Sequence, residues 1–196
     1  MTDYREAISG YIKTLQNVLD HLDHDAINYA LNLLVQAMEN DKTIYIFGNG
    51  GSAATASHFQ NDFNKGISEH TSKKFRFQCL NDNVATVLAI ANDISFEEIF
   101  RFQLQGRVMD GDLVIALSGS GNSRNVLNAA AYARQQGNTV IGLTGFEGGQ
   151  LKQLCDVCLH APVNSMQITE DIHMVFDHLM MAVLYEALAG RKHLNG

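Results

Sequence analysis

The 196 residues carry a net charge of −7 and 46% hydrophobic side chains with a single proline, a balance that excludes a disordered chain and is enough for one substantial core. Duplex binding relies on clustered Lys and Arg, so the acidic balance argues against a nucleic-acid surface and leaves room only for a local anion site. The opening Met1-Thr2-Asp3-Tyr4-Arg5-Glu6 lacks a signal-peptide pattern and no apolar stretch reads as long enough to span a bilayer, so the expected location is cytoplasmic, without a membrane partner.

In chain order, residues 4–38 read as two amphipathic helices, the first with Ile8, Ile12, Leu15 and Leu19 on one face, the second with Ile27, Leu31, Leu34 and Met38. No strand precedes them, so they either cover a sheet or pack against another subunit. From residue 43 onward the patterns alternate: strand 43–47, helix 52–63, strand 76–80, helices 83–90 and 95–108, strand 113–117, helix 123–136, strands 139–143 and 156–160, helix 168–189. Continuous β-branched runs are those of strands buried on both faces of a parallel sheet. The expected fold is a single α/β unit: a three-layer αβα sandwich on a five-stranded, flavodoxin-like parallel sheet, with helices 1–40 ahead of a core 41–196. Cys155 and Cys158 flank Asp156-Val157 inside an apolar stretch and read as reduced, buried thiols.

Two glycine loops, Gly48-Asn49-Gly50-Gly51-Ser52 and Ser118-Gly119-Ser120-Gly121-Asn122-Ser123, each follow a strand run and precede a helix. Open α/β sheets bind ligands at strand carboxyl ends, and helix N-termini with serine hydroxyls offer an anion several donors and little bulk. Gly48-x-Gly50-x-x-Ala53 also fits the relaxed dinucleotide fingerprint, but Glu69 precedes the second strand and Asp82 lies too far along to hold a ribose. Serines in both loops favour one terminal phosphate over a pyrophosphate. Thr144-Gly145-Phe146-Glu147-Gly148-Gly149 forms a third glycine-rich loop.

His58 and Asp62 lie four apart on the helix after the first loop, so both can reach one small ligand or metal. Glu170 and His178 share the last helix at an offset of roughly 80°, so both can border one concave site. His173 reads as structural, with Asp177 orienting it. Asp93 either holds sugar hydroxyls or caps the helix starting near Ser95, and Arg124 either assists a phosphate or is solvated.

Taken in order, Gly48-Asn49-Gly50-Gly51-Ser52, His58-Phe59, Ala91-Asn92-Asp93, Ser118 to Ser123, Leu143-Thr144-Gly145 and Glu170-Asp171-Ile172-His173 with His178 resemble the sugar isomerase (SIS) domain, in its phosphoheptose isomerase branch, over nearly the whole chain. The resemblance implies that Ser52, Ser118, Ser120 and Ser123 bind the phosphate of a phosphosugar, with Asn49, Gly50, Gly51, Gly119, Asp93 and Glu170 completing the substrate site. It further implies a zinc ion (Zn2+) on His58, Asp62, Glu170 and His178, proton transfer by Asp62 and His178, and a homotetramer with shared active sites. The implied reaction converts sedoheptulose 7-phosphate into a heptose 7-phosphate for surface polysaccharide. Asp62 and Glu170 stand where the branch carries glutamate and glutamine, and Lys65 is the nearest cation where it carries arginine. Those departures keep open an isomerase or sensor of another phosphosugar; a non-catalytic SIS regulator of the replication initiator is the rival from another class.

Overall fold

The structure, a computed structural model, describes residues 1–190, so residues 191–196 of the expected core lie outside the described residues. Its sheet has five parallel strands in the order β2-β1-β3-β4-β5, formed by β1 Ile44–Phe47, β2 Phe77–Cys79, β3 Leu113–Ser118, β4 Thr139–Thr144 and β5 Val157–His160. That is the flavodoxin-like order, in which the chain reverses direction of travel across the sheet between β1 and β3. Ile44 pairs with Leu113 and Phe47 with Ala116, so the two glycine loops leave the sheet side by side at the reversal.

Alternation along the strands divides the core into two layers. Ile44, Ile46, Leu113, Ile115, Leu117, Ile141 and Leu143 face one side, against helices α2 His24–Glu39, α3 Gly51–Asn61 and α8 Met166–Ala189. Tyr45, Phe47, Val114, Ala116 and Val140 face the other, against α4 Val84–Asp93, α5 Arg101–Leu104, α6 Arg124–Gln135 and α7 Gly149–Leu154. Both faces are dry, which is why the strand sequences read as unbroken apolar runs.

The N-terminal helices split the two roles left open for them. Ile27, Leu31, Leu34 and Met38 of α2 are buried against the sheet, after an N-cap in which Asp23 accepts from the Ala26 amide. In α1 Arg5–Leu19 only Val18 is buried, and Ile8 and Ile12 remain 56% and 48% exposed. A Tyr11 hydroxyl to Asp171 carboxylate bond ties α1 to α8.

Three local expectations are corrected. The helix expected over 52–63 ends as α-helix at Asn61 and continues as a π turn, Asp62–Ile67, and a 3-10 turn, Ser68–His70. The widened turn seats Phe63 between Phe59, Phe75 and Phe77, an aromatic cluster that outweighs regular winding. The helix expected over 95–108 is broken into a 3-10 turn, Phe96–Glu98, and the short α5. The segment between the last two strands, expected as loop, holds α7, begun by Gly148 at φ +89°. One further expectation meets an exception, because α8 is long and apolar enough by length and composition to cross a membrane. In the fold Ile168, Ile172, Phe176, Met180 and Leu184 form its stripe against the core. Cys79 is buried, whereas Cys155 and Cys158 are half-buried free thiols.

Candidate active site

Both loops are shaped by backbone that only glycine accepts easily. Gly50 sits at φ +54° as the N-cap of α3, and Gly121 at φ +66° turns the second loop into α6, whose N-cap is Ser123. Two helix N-termini therefore face one cavity of about 250 Å³ lined by Asn49, Gly50, Gly51, Ser52, Leu117, Ser118, Gly119, Ser120, Ser123, Met166 and Glu170. Their macrodipoles and first-turn amides favour an anion there. Ser118 Oγ donates to Ser123 Oγ at 3.1 Å, so the hydroxyls of the second loop already converge.

The third glycine loop supports the second. The Gly145 amide donates to the Gly119 carbonyl at 2.8 Å, Leu151 N to Gly121 O at 2.9 Å, and Gln150 N to Asn122 Oδ1 at 3.2 Å. A Cβ on Gly121 would strike the Gly148 carbonyl, and its φ is left-handed as well. Gly121→Ala is accordingly expected to displace the second loop, weakening inorganic phosphate binding about tenfold or more and lowering stability by roughly 1–3 kcal/mol; calorimetry with phosphate and thermal unfolding check this.

About six residues after Ser52, roughly 9 Å along α3, His58 meets the last helix. His58 Nε2 lies 3.1 Å from His178 Nε2, 3.4 Å from Asp62 Oδ2 and 3.9 Å from Asp177 Oδ2, and His178 Nε2 lies 3.9 Å from Asp62 Oδ2. One donor atom from each of His58, Asp62, Asp177 and His178 lies within 4.8 Å of all the others. Donors about 2 Å from a tetrahedral zinc sit roughly 3.3 Å apart, close to the spacings here. Both oxygens of Asp177 are buried without a hydrogen-bond partner. Burial, and next the Asp62 charge, push its carboxyl up to about 8. An orphaned buried carboxylate beside two imidazoles has the polarity of a cation site, so the residues fit a metal of the zinc class.

This grouping differs from the expected ligand set at one position. Glu170 lies outside it and lines the cavity between the two loops, its carboxylate so near Gly51 that a Cβ there would collide with it. The offset of 80° considered rotation alone, whereas eight residues also separate Glu170 from His178 by roughly 12 Å along the helix axis. Asp177, adjacent to His178, stands in the grouping where Glu170 was expected. It does not hydrogen-bond His173, whose two ring nitrogens are also unpartnered and which burial pushes down to about 4. Asp93 is the exposed last residue of α4, accepting from Asn92 Nδ2 at 2.8 Å and lining no part of the cavity. Ser95 caps without a side-chain bond, and Arg124 is exposed.

The arrangement pairs an anion cradle with a His/Asp group, and it has relatives. The sequence profile described as SIS domain matches residues 10–145. The chain belongs to the SIS domain family. A curated phosphoheptose isomerase of Aliarcobacter butzleri is 33% identical over 95% of this chain and 94% of its own. The solved phosphoheptose isomerases of Neisseria gonorrhoeae and Francisella tularensis superpose with TM-scores of 0.84 and 0.86 at 28% and 26% identity, covering 93% and 95% of this chain and 98% and 100% of theirs. In this SIS domain, sequence reading brought the loop serines and His58, Asp62 and His178 into view but missed Asp177 as a candidate ligand. A carboxylate directly beside a candidate histidine, one helical turn after a second histidine, was the signal available.

Proposed function

We propose that the protein is an aldose–ketose isomerase that converts sedoheptulose 7-phosphate into D-glycero-D-manno-heptose 7-phosphate, for surface-polysaccharide heptose. The observation that carries this reading is the placement of an anion cradle and a His/Asp group at successive turns of α3, together with phosphoheptose isomerase relatives matching nearly the full chain. A phosphosugar offers a dianion at one end and a carbonyl at the other, which is the ligand such a pair of subsites suits.

The phosphate is held by Ser52, Ser118, Ser120 and Ser123 with the loop amides of Gly50, Gly51 and Gly119, and Glu170 accepts from sugar hydroxyls. This remote binding orients the reacting carbons. His58, Asp62, Asp177 and His178 would hold the metal, zinc by its fit to two imidazoles and two carboxylates, and when bound it supplies positive charge beside the developing enediolate. Asp62, through the carboxylate oxygen not turned to the metal, takes a proton from C1 of the open-chain ketose and returns it to C2. His178, through the ring nitrogen not turned to the metal, gives a proton to O2 and recovers one from O1. Exchange of the carried proton with solvent puts label into product.

Four copies sharing active sites go with this reading, supported by the exposed apolar face of α1 and by the position of Asp93 outside its own cavity. The cytoplasm is the compartment, because a doubly charged phosphate ester does not cross hydrocarbon unaided.

Purified protein is incubated with sedoheptulose 7-phosphate in heavy water, with and without zinc, and the product is read by mass and NMR. Zinc-dependent heptose 7-phosphate carrying deuterium at C2 is expected. Binding of the ketose without turnover under either condition would replace this reading with a phosphosugar sensor.

A further inference from the structure

The side chain of Asn49, expected to bind substrate, is already occupied. Asn49 Nδ2 donates to Asn125 Oδ1 at 2.8 Å and Asn125 Nδ2 donates to Asn49 Oδ1 at 2.9 Å, a reciprocal amide pair in which each residue is both donor and acceptor. Asn125 is 2% exposed, on the first turn of α6, and its Oδ1 also accepts from the Val126 amide at 2.9 Å. On the other flank Asn81, just after β2, grips the preceding residue: Gly48 N donates to Asn81 Oδ1 at 3.2 Å and Asn81 Nδ2 to Gly48 O at 2.9 Å.

These contacts form a continuous amide bridge running from the end of β2, across the first loop, to the helix that begins the far side of the second. It spans the reversal between β1 and β3 beyond Phe47 and Ala116, the last residues paired between these two strands. We infer that Asn125 is a positioning residue of the phosphosugar site, which sets the separation of the two serine loops through its reciprocal amide pair with Asn49. The inference rests on the isomerase reading given above. Neutral amides suit this position because they supply the two directional bonds without placing a negative charge beside the incoming dianion, as aspartate would, and without a cation that would compete for it. Neither asparagine needs to touch the phosphate for this. Both hydrogen bonds are buried on the Asn125 side, so losing one partner leaves the other amide unsatisfied and the loops free to separate.

The test compares wild type with Asn49→Ala, Asn125→Ala and the double variant in KM and kcat for sedoheptulose 7-phosphate, and in inorganic phosphate affinity by calorimetry. Each single substitution is expected to raise KM and weaken phosphate binding in parallel, by about tenfold, with kcat changed by less than about threefold. The double variant is expected to match the worse single variant within about twofold, because the pair acts as one unit. Asn125→Asp, which keeps the volume but loses the donor and adds a negative charge, is expected to reach at least the same loss. Unchanged KM and phosphate affinity, or single losses that multiply in the double variant, would overturn the inference, as would a fall in melting temperature with no change in either constant. Should buried Asn125→Ala fail to fold, the partly exposed Asn49→Ala decides on the same two constants. Absence of wild-type turnover together with tight phosphate binding would count against the isomerase reading, and the calorimetric series would still decide the bridge.

Discussion

His178→Gln is expected to lower kcat for the heptulose phosphate by roughly 10³-fold or more, while inorganic phosphate affinity stays within about twofold. Glutamine can fill much of the space but cannot exchange a proton near neutral pH. It also removes one imidazole from the group in which His178 Nε2 lies 3.1 Å from His58 Nε2. The cradle, built from the loops after β1 and β3, has no contact with this side chain among its lining residues. Turnover by mass spectrometry and phosphate binding by calorimetry separate the two effects. An equal loss in both would show that His178 supports the loops and would remove it from the proton transfer.

The second large effect is expected at Asp177. In metal-stripped protein its carboxyl titrates at about 8 instead of 3.8, because burial and then the Asp62 charge oppose ionisation. The folded chain thus holds this proton more tightly than the unfolded chain, and stability falls as pH rises from 3.8 towards 8. His173 acts in the opposite sense. Burial moves it from 6.5 to about 4, so its neutral form is favoured in the fold and stability falls as pH drops from 6.5 towards 4. Between these limits the two slopes cancel. Above 6.5 the Asp177 contribution is expected to fall by about 1.4 kcal/mol per pH unit up to pH 8. The Cys158 thiol, which the Cys155 thiol pulls down to about 7, acts in the opposite sense above that pH, so the slope is read in a Cys158→Ser background.

Asp177→Asn is expected to abolish that decline and to weaken zinc affinity by about 100-fold or more, since it removes the buried charge that a cation would neutralise. Urea unfolding of chelator-treated protein at pH 6.5 and 8, with and without zinc, reads both. In the Cys158→Ser background, metal-free protein that keeps Asp177 should be weaker at pH 8, and zinc should restore it. A decline that persists in Asp177→Asn would assign the titration to another group and take Asp177 out of the metal set.

The strands were legible because Ile44 to Phe47 and Leu113 to Leu117 are buried on both sides, which leaves an unbroken apolar run in the chain itself. The cradle was legible for a local reason too: Gly50 and Gly121 mark positive φ at strand-to-helix turns, and serines within the same few residues supply the hydroxyls. Helix breaks were not. The π turn at Asp62 depends on Phe63 finding Phe75 and Phe77, which come from residues beyond the helix, and no periodicity within 52–63 contains that contact.

The chain by itself determined which residues could act: two glycine loops at strand ends, His58 and Asp62 on one turn, His178 on the last helix. Those follow from short-range spacing, where 3.6 residues per turn and the alternation of a strand are the whole geometry. Which of them lie together depends on the packing of distant elements. The packing of α8 across α3 brings Asp177 in and leaves Glu170 at the cradle, and the sheet reversal sets Asn49 against Asn125. Such pairings join residues 76 and 120 positions apart, and they are settled by how apolar stripes stack against the sheet rather than by any local pattern.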